Sequence, residues 1–145
     1  MDLILWRHAD AEEGAVDLKR KLTAKGEKQA ARMAKWLLER LPQDFIVLSS
    51  PAVRAHDTAK ALGAKIETVE SLAPGASPAA IVKAAGWPRG ERTVIVVGHQ
   101  PDLGVALAQL IAGQQTEWRV KKGGIWWLAN GGAVIVKAVM SPDLL

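Results

Sequence analysis

The chain has 145 residues, the size of one domain, with a net charge of +4 and 49% hydrophobic residues. A chain of this length buries roughly 70% of its unfolded surface, enough for a core without staples, and its composition excludes a disordered tail or a fibre. The absence of cysteine removes disulfides, thiolate zinc sites and a cysteine nucleophile together, and fits a reducing, cytoplasmic setting.

The opening Met1-Asp2-Leu3-Ile4-Leu5-Trp6 reaches Arg7 and His8 at once, without the basic start and longer apolar run of a signal peptide. No stretch approaches the ~18 apolar residues of a membrane helix, so no membrane association is expected. The basic residues are scattered apart from Lys19-Arg20-Lys21, Lys25 and Lys28. No nucleic-acid-binding motif accompanies them, and the charge is read as a solvated face or as attraction for an anionic substrate.

In chain order, Leu3–Trp6 is a short apolar run without alternation, as expected of a strand covered on both faces. Thr23 precedes a helix whose stripe is Ala30, Met33, Ala34, Leu37, Leu38 and Leu41, with Pro42 as its stop. Trp36 beside that stripe reads as core. Phe45–Leu48 is a second strand, and Ser49-Ser50-Pro51 opens a helix running to about Leu62 and stopping at Gly63. Lys65–Val69 is a third strand and Ser77-Pro78 starts a short helix ending near Gly86. Thr93–Val97 is a β-branched strand, followed by a helix over Asp102–Ile111. Ile125–Leu128 and Ala133–Val139 form a hairpin, with Asn130-Gly131 suiting a type I′ turn and Trp126 and Trp127 on opposite faces. The alternation predicts one α/β domain over residues 1–145. Its mostly parallel central sheet has helices on both faces and a C-terminal antiparallel hairpin.

In open α/β sheets, ligands bind beyond the carboxyl ends of the strands. The first strand ends in Arg7-His8, the second leads to Arg54, and the Thr93–Val97 strand ends in Gly98-His99. Two arginines and two histidines therefore meet at one edge. Arginine's planar fork matches phosphate oxygens, and a neutral imidazole, with a reference pKa of about 6.5, is a competent nucleophile. Such a set suits phosphoryl transfer, where positioning and charge stabilisation dominate. His56, about 200° around the helix from Arg54, is expected to be an ordinary exposed residue. Three histidines among arginines, with no cysteine, give no metal site, and no Walker-type or dinucleotide glycine motif is present, so no cofactor is expected.

Leu-Trp-Arg-His-Ala at 5–9 resembles the Arg-His-Gly signature of the histidine phosphatase superfamily. Ser49-Ser50-Pro51-Ala52-Val53-Arg54-Ala55-His56-Asp57-Thr58-Ala59 is similar to its second motif, and Val97-Gly98-His99-Gln100-Pro101 to its second histidine motif. Arg20-Lys21-Leu22-Thr23-Ala24-Lys25-Gly26 resembles a stretch of the SixA branch. The resemblance implies a phosphoglycerate mutase-like fold and a metal-independent phosphatase. In it His8 is the nucleophile, Arg7 and Arg54 grip the phosphoryl oxygens, His99 stabilises the transferring group and Arg20 assists. It also implies a phosphohistidine-bearing protein as substrate. A small phosphorylated molecule, or a phosphate-binding module without turnover, are the alternatives.

Ala9 stands where the family has glycine, and a positive φ there would penalise alanine. The family's larger members carry a glutamate that protonates the leaving oxygen. No counterpart is placed between Arg54 and His99, and Asp10, Glu67 and Glu70 are the nearest candidates.

Overall fold

The computed structural model covers residues 1–145. Its elements are β1 (Asp2–Arg7), α1 (Ala24–Leu38), β2 (Phe45–Ser49), α2 (Val53–Lys60), β3 (Ile66–Thr68), α3 (Pro78–Ala85), β4 (Thr93–Gly98), α4 (Asp102–Ala112), β5 (Ile125–Asn130) and β6 (Val134–Met140). Short 3₁₀ turns lie at Asp17–Lys19, Glu70–Leu72 and Pro142–Leu144. The six strands form one sheet in the order β3-β2-β4-β1-β5-β6. The first four are parallel, while β5 runs antiparallel to β1 and β6 antiparallel to β5. No helix is long and apolar enough to cross a membrane.

Alternation along the central strands divides the core in two. Leu3, Leu5, Val94, Val96 and Leu128 pack on one face against Ile81 of α3 and Leu103 and Leu107 of α4. Ile4, Trp6, Ile95, Val97 and Ile125 pack on the other against Met33 and Leu37 of α1 and Ala55 and Ala59 of α2. Burial on both faces explains why β1 and β4 read as unbroken apolar runs. Trp126 and Trp127 divide between the two cores as expected, with Trp127 buried and meeting Trp36 edge-on at 6.4 Å between centroids.

Several boundaries differ from the sequence expectation. Helix α1 ends at Leu38, before Pro42, and Leu38 itself faces solvent. Its place on the predicted stripe is a near miss of the helical period. Helix α2 begins at Val53, past Pro51, and ends at Lys60, with a turn carrying the chain through Leu62 to Gly63 at φ 65°. The Asn130-Gly131 type I′ turn does not form: Asn130 pairs with Val134 inside the ladder, and only Gly132, at φ 97°, is left-handed in the loop between the strands. A three-residue loop with one left-handed glycine closes this hairpin. A register shift between Trp127 and Leu128 leaves Lys137 unpaired on β6.

The Arg20–Gly26 stretch fixes the segment that follows His8. Thr23 caps α1 by accepting the Gly26 N–H at 3.0 Å, and its hydroxyl donates to Asp10 Oδ2 at 2.8 Å. A Cβ on Gly26 would come within 2.0 Å of the Asp10 carbonyl oxygen, so only glycine allows the helix to approach that closely. Leu22 is buried with Ala9 and Ala30, pinning the strap from 10 to 23 against the sheet edge.

Candidate active site

At the carboxyl ends of β1, β2 and β4, a cleft of about 420 Å³ is lined by Arg7, His8, Arg20, Arg54 and His99, together with Glu13, Gln100, Asp102 and Lys122. All five residues expected from the sequence line this one cleft. His56 does not, and is half-buried rather than exposed, because α2 lies flat on the sheet and leaves little of its surface free.

His8 is 9% exposed, at the last turn of chain leaving β1. Its Nδ1 lies 2.7 Å from the Ala9 carbonyl oxygen, which can only accept, so Nδ1 carries the proton and Nε2 is left with a lone pair. Arg54 Nε donates to that Nε2 at 3.3 Å. Burial first, then the charges of Arg54, Arg7 and Arg20, push the His8 pKa down to about 4, so the ring is neutral at physiological pH. Ala9 does not occupy the left-handed region, so alanine in place of glycine carries no conformational penalty. Its N–H donates to Thr58 Oγ1 at 3.0 Å, and the Thr58 hydroxyl donates to the Arg54 carbonyl at 2.8 Å, tying α2 to the segment carrying His8.

His99 stands 5.3 Å from His8 between ring centroids. Burial, then the disfavour for two charged imidazoles side by side with His8, and the charge of Arg54 push its pKa down to about 3, so it too is neutral. Its Nε2 is 2.7 Å from Ser50 Oγ, which already accepts the Ala52 N–H at 3.1 Å. The Ser50 proton has no other acceptor, so the satisfied arrangement has Ser50 donating to Nε2 and the ring proton on Nδ1. That Nδ1 is buried and has no hydrogen-bond partner.

The arginines are held in different ways. Arg54 is 4% exposed; its Nη1 donates to the Asp17 carbonyl at 2.8 Å and its Nη2 to Asp17 Oδ2 at 3.2 Å, which leaves the Nε side facing His8. Asp17 also accepts from Arg20 Nε at 3.2 Å. What desolvation Asp17 suffers raises its pKa, but its hydrogen bond with Arg54 and the charges of Arg54 and Arg20 hold it below the usual carboxylate range. Arg7 donates through Nη1 to the Val120 carbonyl at 2.8 Å, and its buried Nε has no partner. The cleft thus sets three arginines and Lys122 against the carboxyl groups of Glu13 and Asp102, with one buried, unpartnered nitrogen each on Arg7 and His99 in its wall. It is preorganised for a tetrahedral oxyanion.

None of the three carboxylates considered from the sequence stands free in the cleft. Glu67 and Glu70 are not among its lining residues. Asp10 is bound by Thr23 and by Lys122 at 2.9 Å, and those bonds keep its pKa low. The carboxyl groups that do line the cleft are Glu13 and Asp102. Asp102 is buried, which raises its pKa, and its Oδ2 accepts the N–H groups of Gly75 and Ala76 at 2.9 and 3.1 Å. Asp17, Ser50, Glu13 and Asp102 were not assigned roles from the sequence. Only Asp17, three residues before Arg20, offered a local sign.

Residues 3–74 match the family model of the histidine phosphatase superfamily, branch 1. The chain is 36% identical to an uncharacterized protein of Picosynechococcus sp., over 93% of this chain and 88% of that one. It is 31% identical to the phosphohistidine phosphatase SixA of Escherichia coli K12, over 79% of this chain and 76% of the relative. The structure of the protein histidine phosphatase SixA complexed with tungstate superimposes with a TM-score of 0.86 at 27% identity, covering 99% of each chain. The chain belongs to the histidine phosphatase superfamily, in its SixA-like branch, and shares the α/β fold of that branch.

Proposed function

We propose that the chain acts, as one domain, as a phosphohistidine phosphatase through a covalent phosphohistidine on His8. The observation that carries this reading is the Nδ1–H to Ala9 carbonyl bond, which makes Nε2 the lone-pair nitrogen of His8 and sets it, held by Arg54 Nε at 3.3 Å, among three arginines. In the first step Nε2 attacks phosphorus, and the P–N bond to the substrate's imidazole breaks with its electron pair going to that nitrogen. The Ala9 carbonyl stabilises the positive charge that develops on the His8 ring. In the second step a water oxygen attacks phosphorus, the P–Nε2 bond breaks, and inorganic phosphate leaves with His8 restored. Arg7, Arg54 and the His99 Nδ1–H hold the equatorial oxygens, and Arg20 adds charge from the strap. The arginine charge takes the place of a metal ion, so turnover is expected to survive exhaustive chelation.

A phosphohistidine ring leaves as neutral imidazole after taking a proton from solvent, whereas an alkyl ester must leave nearly as an alkoxide. No carboxyl group stands free and unbonded in the cleft apart from exposed Glu13, so phosphoramidates are favoured. Asp102 supports a second reading, hydrolysis of small phosphate esters, because a buried carboxyl with a raised pKa can hold a proton. The deciding experiment compares kcat/KM for a phosphohistidine peptide, an aryl phosphate and an alkyl phosphate. A preference for the phosphoramidate over the alkyl ester of about 10²–10⁴ is expected, the usual contribution of a positioned acid. Equal rates, abolished by Asp102→Asn, would establish the second reading instead.

A further inference from the structure

Beside the catalytic cleft lies a second basin of about 500 Å³, which shares Arg7, Gln100 and Lys122 with it and adds Arg119 and Lys121. Its floor is the segment from 113 to 124, which has no regular secondary structure yet is anchored at several points. Gln100 Nε2 donates to the Trp118 carbonyl at 2.7 Å, and the Trp118 N–H donates to the Gly104 carbonyl at 3.3 Å. A Cβ on Gly104 would fall 1.8 Å from the Trp118 oxygen, so the segment is pressed onto α4 where only glycine fits. Trp118 packs on Trp126 at 5.7 Å, Val120 is fully buried, and the Val120 carbonyl receives Arg7.

Alternation does the rest. With Trp118 and Val120 turned inward, Glu117, Arg119 and Lys121 are exposed. Lys121 is paired with Asp143 and Lys122 with Asp10, both on the surface, where such pairs are worth little. Arg119 has no ion-pair partner and lines the same basin as Arg7, whose pKa is lowered first by burial and then by the charge of Arg119. Two arginines are therefore held near each other, without a carboxylate bonded to either, on backbone that cannot relax away.

We propose that this rim is a docking surface for acidic side chains flanking the phosphohistidine of a protein substrate, with Arg119 as its principal contact. The inference rests on the substrate reading above. It goes further in placing recognition on a rigid segment outside the phosphate cleft, continuous with it through Arg7, Gln100 and Lys122. Charge complementarity selects the occupant: apart from Pro142 the lining is polar or charged, and its four cations, Arg7, Arg119, Lys121 and Lys122, outnumber its two carboxylates, Glu117 and Asp143. Exposed complementary charges act mainly on encounter and on selectivity.

The test uses two synthetic phosphohistidine peptides, one with Glu and Asp flanking the phosphohistidine and one with Gln and Asn, and an aryl phosphate as a flank-free control. The wild-type chain should favour the acidic peptide in kcat/KM by about tenfold at low salt, the scale expected of a few exposed charge contacts, with the preference shrinking as salt rises. Arg119→Gln should erase most of the preference through KM and leave the aryl phosphate unchanged. Equal kcat/KM for the two peptides with wild type would overturn the proposal. So would loss of aryl phosphate turnover in Arg119→Gln, which would place Arg119 in the phosphate cleft. Turnover of the aryl phosphate with neither peptide accepted would overturn the substrate reading itself, and the docking surface with it.

Discussion

Two sets of cations surround the cleft that holds His8, and the fold builds them differently. Arg7 and Arg54 arise at the end of β1 and the first turn of α2, with Arg54 almost wholly buried and tied to His8 and Asp17. Arg119, Lys121 and Lys122 stand on the exposed rim, where their charges are screened by water and salt. Burying a guanidinium costs free energy that a single pair with an exposed carboxylate offsets only in part, so its retention beside two neutral histidines points to chemistry. An exposed cation costs almost nothing to keep, and loses little when removed. Substitutions in the inner set are therefore expected to reduce rate, and those on the rim to alter affinity and selectivity.

The largest expected break in that comparison is His8→Ala, which should lower kcat by at least about 10⁴ for every substrate while circular dichroism and melting show a folded chain. Next comes Arg54→Lys. A point charge cannot replace the fork that faces both His8 and Asp17, and kcat should drop between about tenfold and a thousandfold. An unchanged rate would mean that Arg54 acts as charge alone. Ser50→Ala sharpens the inner set further. Loss of the 2.7 Å contact frees His99 to carry its proton on either nitrogen. The expected result is a fall in kcat of about tenfold, with Ser50→Thr restoring most of it, and ¹⁵N shifts of the His99 ring reporting the tautomer directly. Asp17 lies between the two sets, since it is exposed yet orients a buried arginine. Asp17→Asn should raise KM threefold to tenfold with a smaller effect on kcat, the scale of an exposed ion pair.

The smallest effect is on stability. In the unfolded chain both histidines titrate near 6.5, whereas in the folded chain burial above all holds them down to about 4 and about 3. Below pH 6.5 the unfolded chain takes up protons that the folded chain refuses. Stability complete above 6.5 is thus lost as pH falls toward 4, by at most about 1.4 kcal/mol per ring per pH unit. Tm should decline between pH 6.5 and 4.5, and less steeply in His8→Ala. A flat Tm across that range would show that the rings are not held neutral.

What was legible in the sequence follows the same division. The strand ends could be read because β1 and β4 are apolar runs that stop at Arg7-His8 and Gly98-His99, so topology alone brings those residues together. Arg54 followed from its place just inside the helix after β2. Residues positioned by irregular backbone could not be read. Asp17 reaches Arg54 only because the strap from 10 to 23 folds back over α2. Asp102 enters the cleft through the turn after His99, and Arg119 is aimed by the packing of Trp118 and Val120. The Asn130-Gly131 misreading has a similar origin, because the turn dipeptide was local but Asn130 is claimed by its ladder partner Val134.

The measurement that tests the central claim most directly is rapid quenching of the chain during turnover of a ³²P-labelled phosphohistidine peptide, followed by mapping of the label. The account predicts an acid-labile, base-stable phosphate on His8, attached at Nε2, which forms and decays at rates compatible with kcat. Label on another residue, or full turnover in His8→Ala, would contradict it.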